Sequence, residues 1–230
     1  MKKIEGKIIS IVPARAGSKG FPGKNFRCFA GQPLFMHAIN QALRVSDFCI
    51  FTTDNQKVLE SLKPIEGLFL HKRQPKYATD DSPMHETLTD VCNAFKMKRN
   101  TIVLLQPTAP IRSDRSIQKA IKLHNEGSYE LVMGISEANS DVLKTGLVSG
   151  GNFIPINEPS FCFANRQALP KVYKPNGSVF VFNSDWFKSR GELTSKNIGY
   201  VLQPNNIDID SATDFWAAEE IFTANQSNQI

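Results

Sequence analysis

Short apolar runs alternate with helical segments along the first half of the chain. The runs predict β-strands because they are brief, rich in β-branched or aromatic residues, and end at polar or proline-containing turns. Strands are predicted at residues 8–12, 48–53, 68–70, 101–105 and 131–135, with helices between them at 33–46, 56–62, 83–98 and 114–126. This alternation predicts a mostly parallel sheet covered by helices on both faces.

The alternation stops between Ala138 and Pro175. Helical periodicity is weak there, the pair Gly150-Gly151 indicates a hairpin, and Phe153, Phe161 and Phe163 look exposed. Such an irregular segment is often a substrate lid or an oligomerisation arm. Beyond it, a turn and strand are predicted at 176–182, a short helix around 186–187, a strand at 198–202 and a helix at 211–224. We expect residues 1–230 to form one domain, with 138–175 inserted as an arm or lid.

The composition permits one large domain and favours a small anionic ligand. The chain has 230 residues, of which 41% are hydrophobic, so it can bury a sizeable core. Its net charge of +5 suits an anionic partner, but acidic residues are interleaved with the basic ones. A nucleotide, which is a small anion, suits a protein with this mixture of basic and acidic residues. Nucleic-acid binding is not expected, because the cations concentrate at strand ends instead of forming a basic stripe with aromatic platforms.

Cysteine usage and hydropathy indicate a cytoplasmic location. Cys28, Cys49, Cys92 and Cys162 are scattered without a CxxC pair, which indicates free thiols in a reducing compartment. The apolar run near the N-terminus is too short for a signal peptide, and no stretch of ~20 apolar residues follows it. We therefore expect a soluble protein with no membrane partner.

The segment Ile8–Asn25, IISIVPARAGSKGFPGKN, combines a buried strand with a basic, glycine-rich loop. Small residues let a ligand approach the backbone, exposed N–H groups can bind an anion, and Arg15, Lys19 and Lys24 can neutralise several phosphate charges. The spacing fits neither the ATPase loop G-x-x-x-x-G-K-[ST] nor the dinucleotide fingerprint G-x-G-x-x-G. A solvated basic connection is the alternative, but three cations directly after a strand favour a polyphosphate site.

Other strand ends also carry polar residues. Asp54 follows the second strand and either contacts a ligand or caps the next helix. Arg73 follows the third strand, in the same kind of position as Arg15. The turn Gln106–Pro110 contains two prolines, which are incompatible with both a helix and the hydrogen bonding of a β-sheet. That rigid turn is either purely structural or presents Gln106 to a ligand.

Asp208 and Asp210 lie two positions apart in an extended segment, so their carboxylates project from one face. Two hard oxygen ligands suit a hydrated Mg²⁺ that also binds substrate phosphates. Alternatively, Asp210 belongs to a helix start, with Asp214 in the first turn. None of the four histidines has zinc-ligand spacing and no serine-nucleophile motif occurs, so we expect neither zinc nor nucleophilic catalysis.

Four motifs together resemble those of the acylneuraminate cytidylyltransferases, also called CMP-sialic acid synthetases. They are the loop Pro13–Asn25 (PARAGSKGFPGKN), Leu104–Arg112 (LLQPTAPIR), Pro175–Gly177 (PNG) and Ile207–Asp210 (IDID). Their order is that of the family, and they spread over nearly the whole chain. The resemblance implies a nucleotide-diphospho-sugar transferase-like fold, a three-layer α/β/α sandwich whose central sheet is mixed but mostly parallel, with a dimerisation arm.

The resemblance further implies transfer of CMP from CTP to the anomeric hydroxyl of a nonulosonic acid, with release of pyrophosphate. By similarity, the residues expected to bind CTP are Arg15, Gly17, Ser18, Lys19, Lys24, Asn25 and Arg73. Those expected to face the acidic sugar are Gln106, Lys144, Arg166, Asn176 and Gly177. Mg²⁺ is expected at Asp208 and Asp210, and the expected catalytic residues are Arg15, Lys19, Gln106 and Asp210. Such a reaction needs charge neutralisation and in-line positioning more than a covalent intermediate.

Three departures from the family pattern leave the substrate open. Ser82-Pro83-Met84 stands where some relatives place small hydroxyl residues near the base, Phe180 stands where sialic-acid members can have tyrosine, and the residues after Trp186 do not match an acyl pocket closely. The sugar is left open among sialic, legionaminic, pseudaminic and related acids. The alternatives are an eight-carbon keto-sugar acid, a sugar 1-phosphate, or a non-catalytic nucleotide-binding scaffold.

Two further expectations come from the resemblance. Family members form dimers through an arm like 138–175, so we expect a homodimer in which Arg166 acts across the interface. Deprotonation of the sugar hydroxyl is left open between metal activation and a water oriented by Gln106.

Overall fold

A seven-stranded sheet forms the centre of the computed structural model, which describes residues 5–204 and 206–227. The first elements are β1 (Ile8–Pro13), β2 (Cys28–Phe29), β3 (Gln32–Pro33), α1 (Leu34–Val45), β4 (Phe48–Thr53), α2 (Gln56–Ser61), β5 (Leu68–Lys72), α3 (Met84–Ala94) and β6 (Thr101–Leu104). They are followed by α4 (Asp114–Asn125), β7 (Leu131–Ala138), β8 (Gly146–Ser149), β9 (Asn152–Pro155), β10 (Val172–Asn183), α5 (Ser184–Arg190), β11 (Ile198–Leu202) and α6 (Ala212–Ser227). Short 3₁₀ turns complete the described chain.

The order of strands in the sheet is β11-β7-β10-β6-β1-β4-β5. The pairs β1–β4, β1–β6, β4–β5 and β7–β11 are parallel, and β10 is antiparallel to both of its neighbours. The predicted mixed, mostly parallel sheet is therefore confirmed. The chain moves outward from β1 to β4 and β5 and then returns to β6 on the other side of β1. Such a reversal leaves a crevice at the carboxyl ends of the two strands, which is where open α/β sheets bind ligands.

Helices cover both faces of the sheet and enclose two apolar cores. The first core lies beneath α1 and α4, and the second lies beneath α3 and α5. β1 supplies Val12 to the first core and Ile11 to the second, because successive residues of a strand point to opposite faces. This arrangement is the predicted three-layer α/β/α sandwich.

A smaller apolar cluster lies at one end of the molecule, where α6 meets the β2–β3 hairpin. Phe29 and Phe215 pack edge to face there, with ring centroids 5.3 Å apart. Ile209 belongs to the same cluster and is fully buried. The segment that precedes α6 is thus anchored in the molecule by an apolar side chain.

Two boundaries predicted from the sequence are wrong. The third helix ends at Ala94 instead of Lys98, because Lys96 takes a positive φ of 49° and Met97 turns into the core. The irregular segment ends before Pro175, because β10 begins at Val172 and pairs with the extended end of β7. The hairpin predicted at Gly150-Gly151 is confirmed by the pairing of β8 with β9.

The four cysteines are free, and Cys49 and Cys92 are buried. Desolvation raises the pKa of both thiols, that of Cys92 to about 12, so neither forms a thiolate readily. In the portion of the chain that the structure describes, no helix is both long enough and apolar enough to cross a lipid bilayer.

Candidate active site

The carboxyl ends of β1 and β6 border a cavity of about 250 Å³ at the point where the chain reverses its direction across the sheet. Six of the predicted site residues line this cavity, namely Arg15, Ser18, Lys24, Asn25, Arg73 and Gln106. Asp80, Ser82 and Met84, from the connection between β5 and α3, complete one wall. The residues predicted to bind CTP are thus largely brought together by the fold.

Two buried polar atoms beside the cavity have no hydrogen-bond partner among the described residues. They are Asn25 Oδ1 and Arg73 Nε. Asn25 is only 6% exposed and Arg73 only 4%. A buried polar group without a partner costs about 1–3 kcal/mol. One free acceptor and one free donor at a cavity wall are expected where a polar ligand completes the hydrogen bonding.

The loop after β1 is held in shape by hydrogen bonds to its neighbours. The Ala16 N–H donates to Asp54 Oδ1 at 2.7 Å, and Asn25 Nδ2 donates to the Arg15 carbonyl at 3.1 Å. Asp54 therefore contacts the loop, and the prediction that it caps the next helix is wrong. That cap is Asn55, whose side chain accepts from the Val58 N–H. The loop geometry is thus set before any ligand arrives.

The segment before α6 joins the loop directly. Lys24 Nζ donates to Asp210 Oδ1 at 2.9 Å and also to the Ile209 carbonyl. The Ile209 N–H in turn donates to the Thr108 carbonyl at 2.8 Å. The first, second and last of the four motifs therefore meet at one place.

Gly20 is a point of close backbone approach that the sequence interpretation passed over. A Cβ atom at Gly20 would lie 2.4 Å from the Asp210 carbonyl oxygen, closer than any real contact allows. Gly17, which was predicted to bind CTP, has nothing within 4 Å of the corresponding point and does not line the cavity. The absence of a side chain at Gly20 is thus what lets the loop approach the acidic segment.

Asp208 and Asp210 lie on the side opposite to Ile209, which is fully buried between them, and the Asp208 carboxyl is partly desolvated there. The start of α6 does not need Asp210, because Asp214 Oδ2 accepts from the Ser211 N–H at 2.8 Å and Ser211 Oγ accepts from the Asp214 N–H at 3.2 Å. These two bonds are reciprocal caps of the helix start. The interpretation of Asp210 as the helix cap is therefore not supported.

The acidic pair has the donor chemistry that Mg²⁺ uses. Desolvation, together with the charge of Asp210, raises the pKa of Asp208 against an opposing hydrogen bond from Thr108. A nearby cation would relieve both unfavourable effects. No group of three or more His, Cys, Asp or Glu within residues 5–204 and 206–227 could enclose a metal. Two carboxylates fit a cation that keeps several waters and takes its other ligands from phosphates, as Mg²⁺ does.

Gln106, Gly177 and Asp208 converge on one side of the acidic segment. Gly177 has a φ of 71°, and a Cβ atom there would lie 2.6 Å from Gln106 Oε1 and 3.4 Å from Asp208 Oδ2. Gly177 lies where the register of β10 shifts, between Pro175 and Phe180. The irregularity therefore brings a backbone without a side chain against the Gln106 amide.

Asn176 contributes to this irregularity from inside the protein. Asn176 is 5% exposed, and its Oδ1 accepts from the Ser178 hydroxyl at 2.6 Å and the Ser178 N–H at 3.2 Å. Its Nδ2 donates to the Gln203 carbonyl at 3.4 Å. These internal hydrogen bonds fit a role in shaping the pocket around Gly177.

Lys144 and Arg166 lie outside the cavity. They belong to the 3₁₀ turns Ser140–Lys144 and Arg166–Ala168 of the arm, and neither lines the space between β1 and β6. Their predicted contact with the sugar stays a prediction. Lys19 is also well exposed, and its Nζ lies 3.4 Å from Asp80.

Arg112 supports the turn that presents Gln106, a role that its place in the second motif did not reveal. Its Nη1 donates to the carbonyls of Gln106 and Ala109 at 2.6 and 2.8 Å, and its Nε donates to Gln41 Oε1 at 2.8 Å. Burial lowers the pKa of Arg112 to about 9, so it keeps its proton at neutral pH. Arg112 is a positioning residue that fixes the backbone of the turn.

A larger cavity, of about 750 Å³, lies between α1, α4 and α6. Of its charged wall residues, Arg44 and Asp114 pair with each other at 2.6 Å, and Arg112 donates to Gln41 and to backbone carbonyls. No residue predicted to bind CTP, sugar or metal lines it. The smaller cavity is therefore the candidate active site, because the charged and unpartnered polar groups converge there.

A family model described as Cytidylyltransferase matches residues 9–158. This match spans more than half of the chain and includes both the loop after β1 and the turn after β6. The chain belongs to the cytidylyltransferase family. The membership explains why the loop fits neither of the better-known phosphate motifs.

Relatives and solved structures agree with this family and fold. The chain is 29% identical to an N-acylneuraminate cytidylyltransferase of Streptococcus agalactiae serotype III, over 91% of this chain and 52% of the relative. It thus spans about half the length of that relative. It is 27% identical to a CMP-N,N'-diacetyllegionaminic acid synthase of Legionella pneumophila, over 96% of this chain and 98% of the relative. A structure of CMP:2-keto-3-deoxy-manno-octonic acid synthetase complexed with CTP superposes with a TM-score of 0.71 and 15% identity, covering 95% of this chain and 99% of that one. That likeness confirms the fold predicted for this cytidylyltransferase.

Proposed function

We propose that this chain transfers CMP from CTP to the anomeric hydroxyl of a nonulosonic, sialic-type acid and releases pyrophosphate. The observation that carries the proposal is the convergence of three separate segments on one cavity edge. These are the cationic loop after β1, Gln106 after β6, and the acidic segment before α6. Family membership and the printed names of the Streptococcus and Legionella relatives support CMP transfer to such an acid.

The nucleotide half of the site uses charge and two open hydrogen-bonding positions. Arg15, Lys19 and Lys24 neutralise the triphosphate, and Ser18 lies in the cavity wall beside it. Asn25 Oδ1 and Arg73 Nε, which have no partners in the described chain, suit a cytosine ring, because cytosine offers an amino donor and carbonyl and ring-nitrogen acceptors. This complementarity supports CTP as the nucleotide.

The reaction is an in-line attack of the sugar hydroxyl on the α-phosphorus, with pyrophosphate as the leaving group. The bond to pyrophosphate breaks as the bond to the sugar oxygen forms, and negative charge builds up on the leaving group. Arg15 and Lys19 stabilise that charge, and Gln106, held by Arg112, orients the sugar. Asp208 and Asp210 would hold Mg²⁺, which supplies further charge neutralisation at the phosphates when it is bound.

The proposal includes a cytoplasmic homodimer. Lys144 and Arg166, the cations expected to bind the sugar carboxylate, lie on the arm and outside the cavity of their own chain. The arm also exposes apolar side chains, of which Phe163 is 93% and Val148 is 80% exposed. A second copy of the chain that covers these side chains would bring the arm's cations toward the partner's cavity.

A pyrophosphate-release assay tests the proposed reaction. Each of the four ribonucleoside triphosphates is offered with a panel of nonulosonic acids, an eight-carbon keto-sugar acid and a sugar 1-phosphate, with and without Mg²⁺. We expect turnover with CTP and at least one nonulosonic acid, and only when Mg²⁺ is present. Absence of turnover with CTP and every acid would reject the proposal.

The role of the acidic segment is tested with Asp210→Asn. We expect turnover to fall by at least about a thousandfold, because charge stabilisation at the phosphates is lost, while the unfolding midpoint stays close to that of the wild type. Glu66→Gln, in the exposed turn before β5 and not among the residues that line the cavity, is the control for loss of a carboxylate. Turnover of Asp210→Asn equal to that of the control would contradict the metal assignment.

A further inference from the structure

The carboxylate of Asp80 already forms ion pairs with two of the cations that are expected to bind the triphosphate. Arg15 Nη1 lies 2.6 Å from Asp80 Oδ1, and Lys19 Nζ lies 3.4 Å from Asp80 Oδ2. Each carboxylate oxygen is therefore matched with one cation of the loop. Asp80 lines the cavity beside Arg15, so a phosphate group of a bound nucleotide would compete with the Asp80 carboxylate for Arg15.

The turn that carries Asp80 is closed by its own hydrogen bonds. The Ser82 hydroxyl donates to the Lys76 carbonyl at 2.8 Å and pairs with the Thr79 hydroxyl at 2.6 Å. Among the described residues, the side chain of Asp80 has ion pairs only with the loop after β1. These ion pairs can therefore open while the turn keeps its internal hydrogen bonds.

Asp80 is charged at neutral pH. Desolvation acts to raise its pKa, but the hydrogen bond and charge of Arg15, followed by those of Lys19, hold the pKa of this carboxyl below its ordinary value. An ionised carboxylate and a phosphate cannot both take the inner positions on the same guanidinium without mutual repulsion. Phosphate binding at the loop is therefore coupled to the position of Asp80.

We propose that Asp80 is an internal competitor for polyphosphate, which occupies Arg15 and Lys19 in the free protein and is displaced when the triphosphate binds. The inference rests on the proposed function, because it assigns the loop cations to the phosphates of CTP. Re-formation of the ion pairs then assists the departure of pyrophosphate after the reaction. Asp80 is a residue that determines how tightly the loop holds its product.

Asp80→Asn tests the competition, with Asp81→Asn as the matched control. Both variants raise the net charge by one unit in the same turn, but Asp81 is exposed and no ion pair to it occurs among the described residues. Binding of inorganic tripolyphosphate and of pyrophosphate is measured by titration calorimetry on the full chain. We expect Asp80→Asn to bind both about tenfold more tightly than the wild type and Asp81→Asn to stay within about twofold, where tenfold corresponds to about 1.4 kcal/mol.

Other results would overturn the inference. Equal tightening in both variants would mean that only the overall charge matters, and weaker binding by Asp80→Asn would mean that Asp80 orients the cations for phosphate. A second readout is product inhibition, for which we expect a lower inhibition constant for pyrophosphate in Asp80→Asn alone. An unchanged inhibition constant would contradict the proposed role in product release.

Inorganic ligands separate this inference from the proposed function. Wild-type turnover with CTP and a nonulosonic acid, without tightening in Asp80→Asn, would remove the inference and leave the function. Tightening of tripolyphosphate binding without turnover of CTP would remove the function and leave Asp80 as a competitor at a polyphosphate site. Failure of wild type and both variants to bind tripolyphosphate or CTP would overturn both.

Discussion

Gly17 and Gly20 lie in the same loop but differ in what surrounds them. The space around Gly17 is open, whereas Gly20 lies against the backbone of Asp210, 190 positions later in the chain. A glycine that admits a distant backbone and one that has free space look alike in a sequence. Their surroundings give the two positions different expected sensitivity to a methyl group.

We predict that Gly20→Ala destabilises the protein and Gly17→Ala does not. A methyl group at Gly20 must push the Asp210 carbonyl away, which costs about 1–3 kcal/mol for an overpacked site. Gly17→Ala should stay within about 0.5 kcal/mol of the wild type, as expected for an exposed position. The free energy of unfolding is measured by denaturant titration without ligand. Equal values for the two variants would show that the loop moves away from the acidic segment at no cost.

Site candidates could be picked out from the sequence where the residue type and its position at a strand end suggest a chemical role. They could not be picked out where the role depends only on which residues the fold brings into contact. Arg15, Lys24 and Asp210 stand out in the sequence because cations and carboxylates at strand ends suggest phosphate and metal chemistry. Asp80 and Arg112 did not, because an acidic residue in a polar turn and an arginine after a proline turn have many possible partners. Their roles follow from which cations or carbonyls the fold brings within hydrogen-bond distance.

At the scale of elements, the start of α6 explains why Asp210 is available for a ligand. Ser211 Oγ accepts from the Asp214 N–H in the first turn, and Asp214 Oδ2 accepts from the N–H groups of Ser211 and Asp210, at 2.8 and 3.2 Å. The capping role therefore lies with Asp214, four positions beyond Asp210. The Asp210 side chain is 80% exposed and forms an ion pair with Lys24, which lines the cavity.

This cap predicts a pH dependence of stability. The hydrogen bonds from the Ser211 hydroxyl and backbone lower the pKa of Asp214 in the folded protein. A carboxyl whose folded pKa lies below its unfolded value of about 4 stabilises the fold above that pH, and the contribution disappears as the pH falls through the folded pKa. Asp214→Asn removes the titrating group but keeps an oxygen acceptor.

We therefore expect the melting temperature of Asp214→Asn to lie below that of the wild type at about pH 6 and to approach it at about pH 3. Thermal unfolding followed by circular dichroism at both pH values measures this difference. Asp81→Asn, an exposed aspartate, should show no such convergence. A constant gap at both pH values would mean that the stabilisation does not depend on the charge of Asp214.

The elements themselves were largely predictable, and the errors have local causes. Apolar runs bounded by turns located the strands of the sheet, because buried strands leave a short, dense apolar signal. The end of α3 was missed because Met97 continues the apolar pattern after the helix has ended. The start of β10 was missed because Val172–Pro175 pairs with β7 outside the buried core, and Lys174 and Pro175 interrupt the apolar pattern that signals a strand.

At the scale of the whole molecule, the arm carries the largest group of exposed apolar side chains among the described residues. The hairpin of β8 and β9 exposes Leu147, Val148, Phe153 and Ile154 by half or more. An isolated two-stranded hairpin gains little stability by itself. A second copy of the chain would bury this surface and bring the arm's cations to a cavity.

We predict that the protein is a dimer at micromolar concentration and that Val148→Asp makes it a monomer. A charge at this 80% exposed position would be buried at the dimer interface without compensation, whereas it stays hydrated in the monomer. Trp216→Ser, which removes an exposed aromatic side chain from α6, serves as the control and should remain dimeric. Multi-angle light scattering reports the mass, and a monomeric wild type would contradict the proposed assembly.

The overall architecture was the most predictable feature, because alternating strands and helices restrict the sheet to a few topologies. The antiparallel insertion of β10 between β6 and β7 was not apparent. Its apolar residues would fit a parallel strand equally well, and only the path through the arm reverses its direction. The same insertion places Gly177 beside Gln106, so the proposed sugar-binding part of the site depends on a strand pairing that the sequence pattern alone did not specify.

The ion pair between Lys24 and Asp210 joins residues 186 positions apart. A ribosome adds ~5–20 residues per second, so about 10–40 s separate the synthesis of these two residues. Throughout that interval, the nascent chain carries the loop after β1 without the acidic segment that precedes α6. Under the proposed function, turnover can begin only after Asp210 has left the ribosomal exit tunnel, because a chain that stops earlier has the loop after β1 but not the segment proposed to hold Mg²⁺.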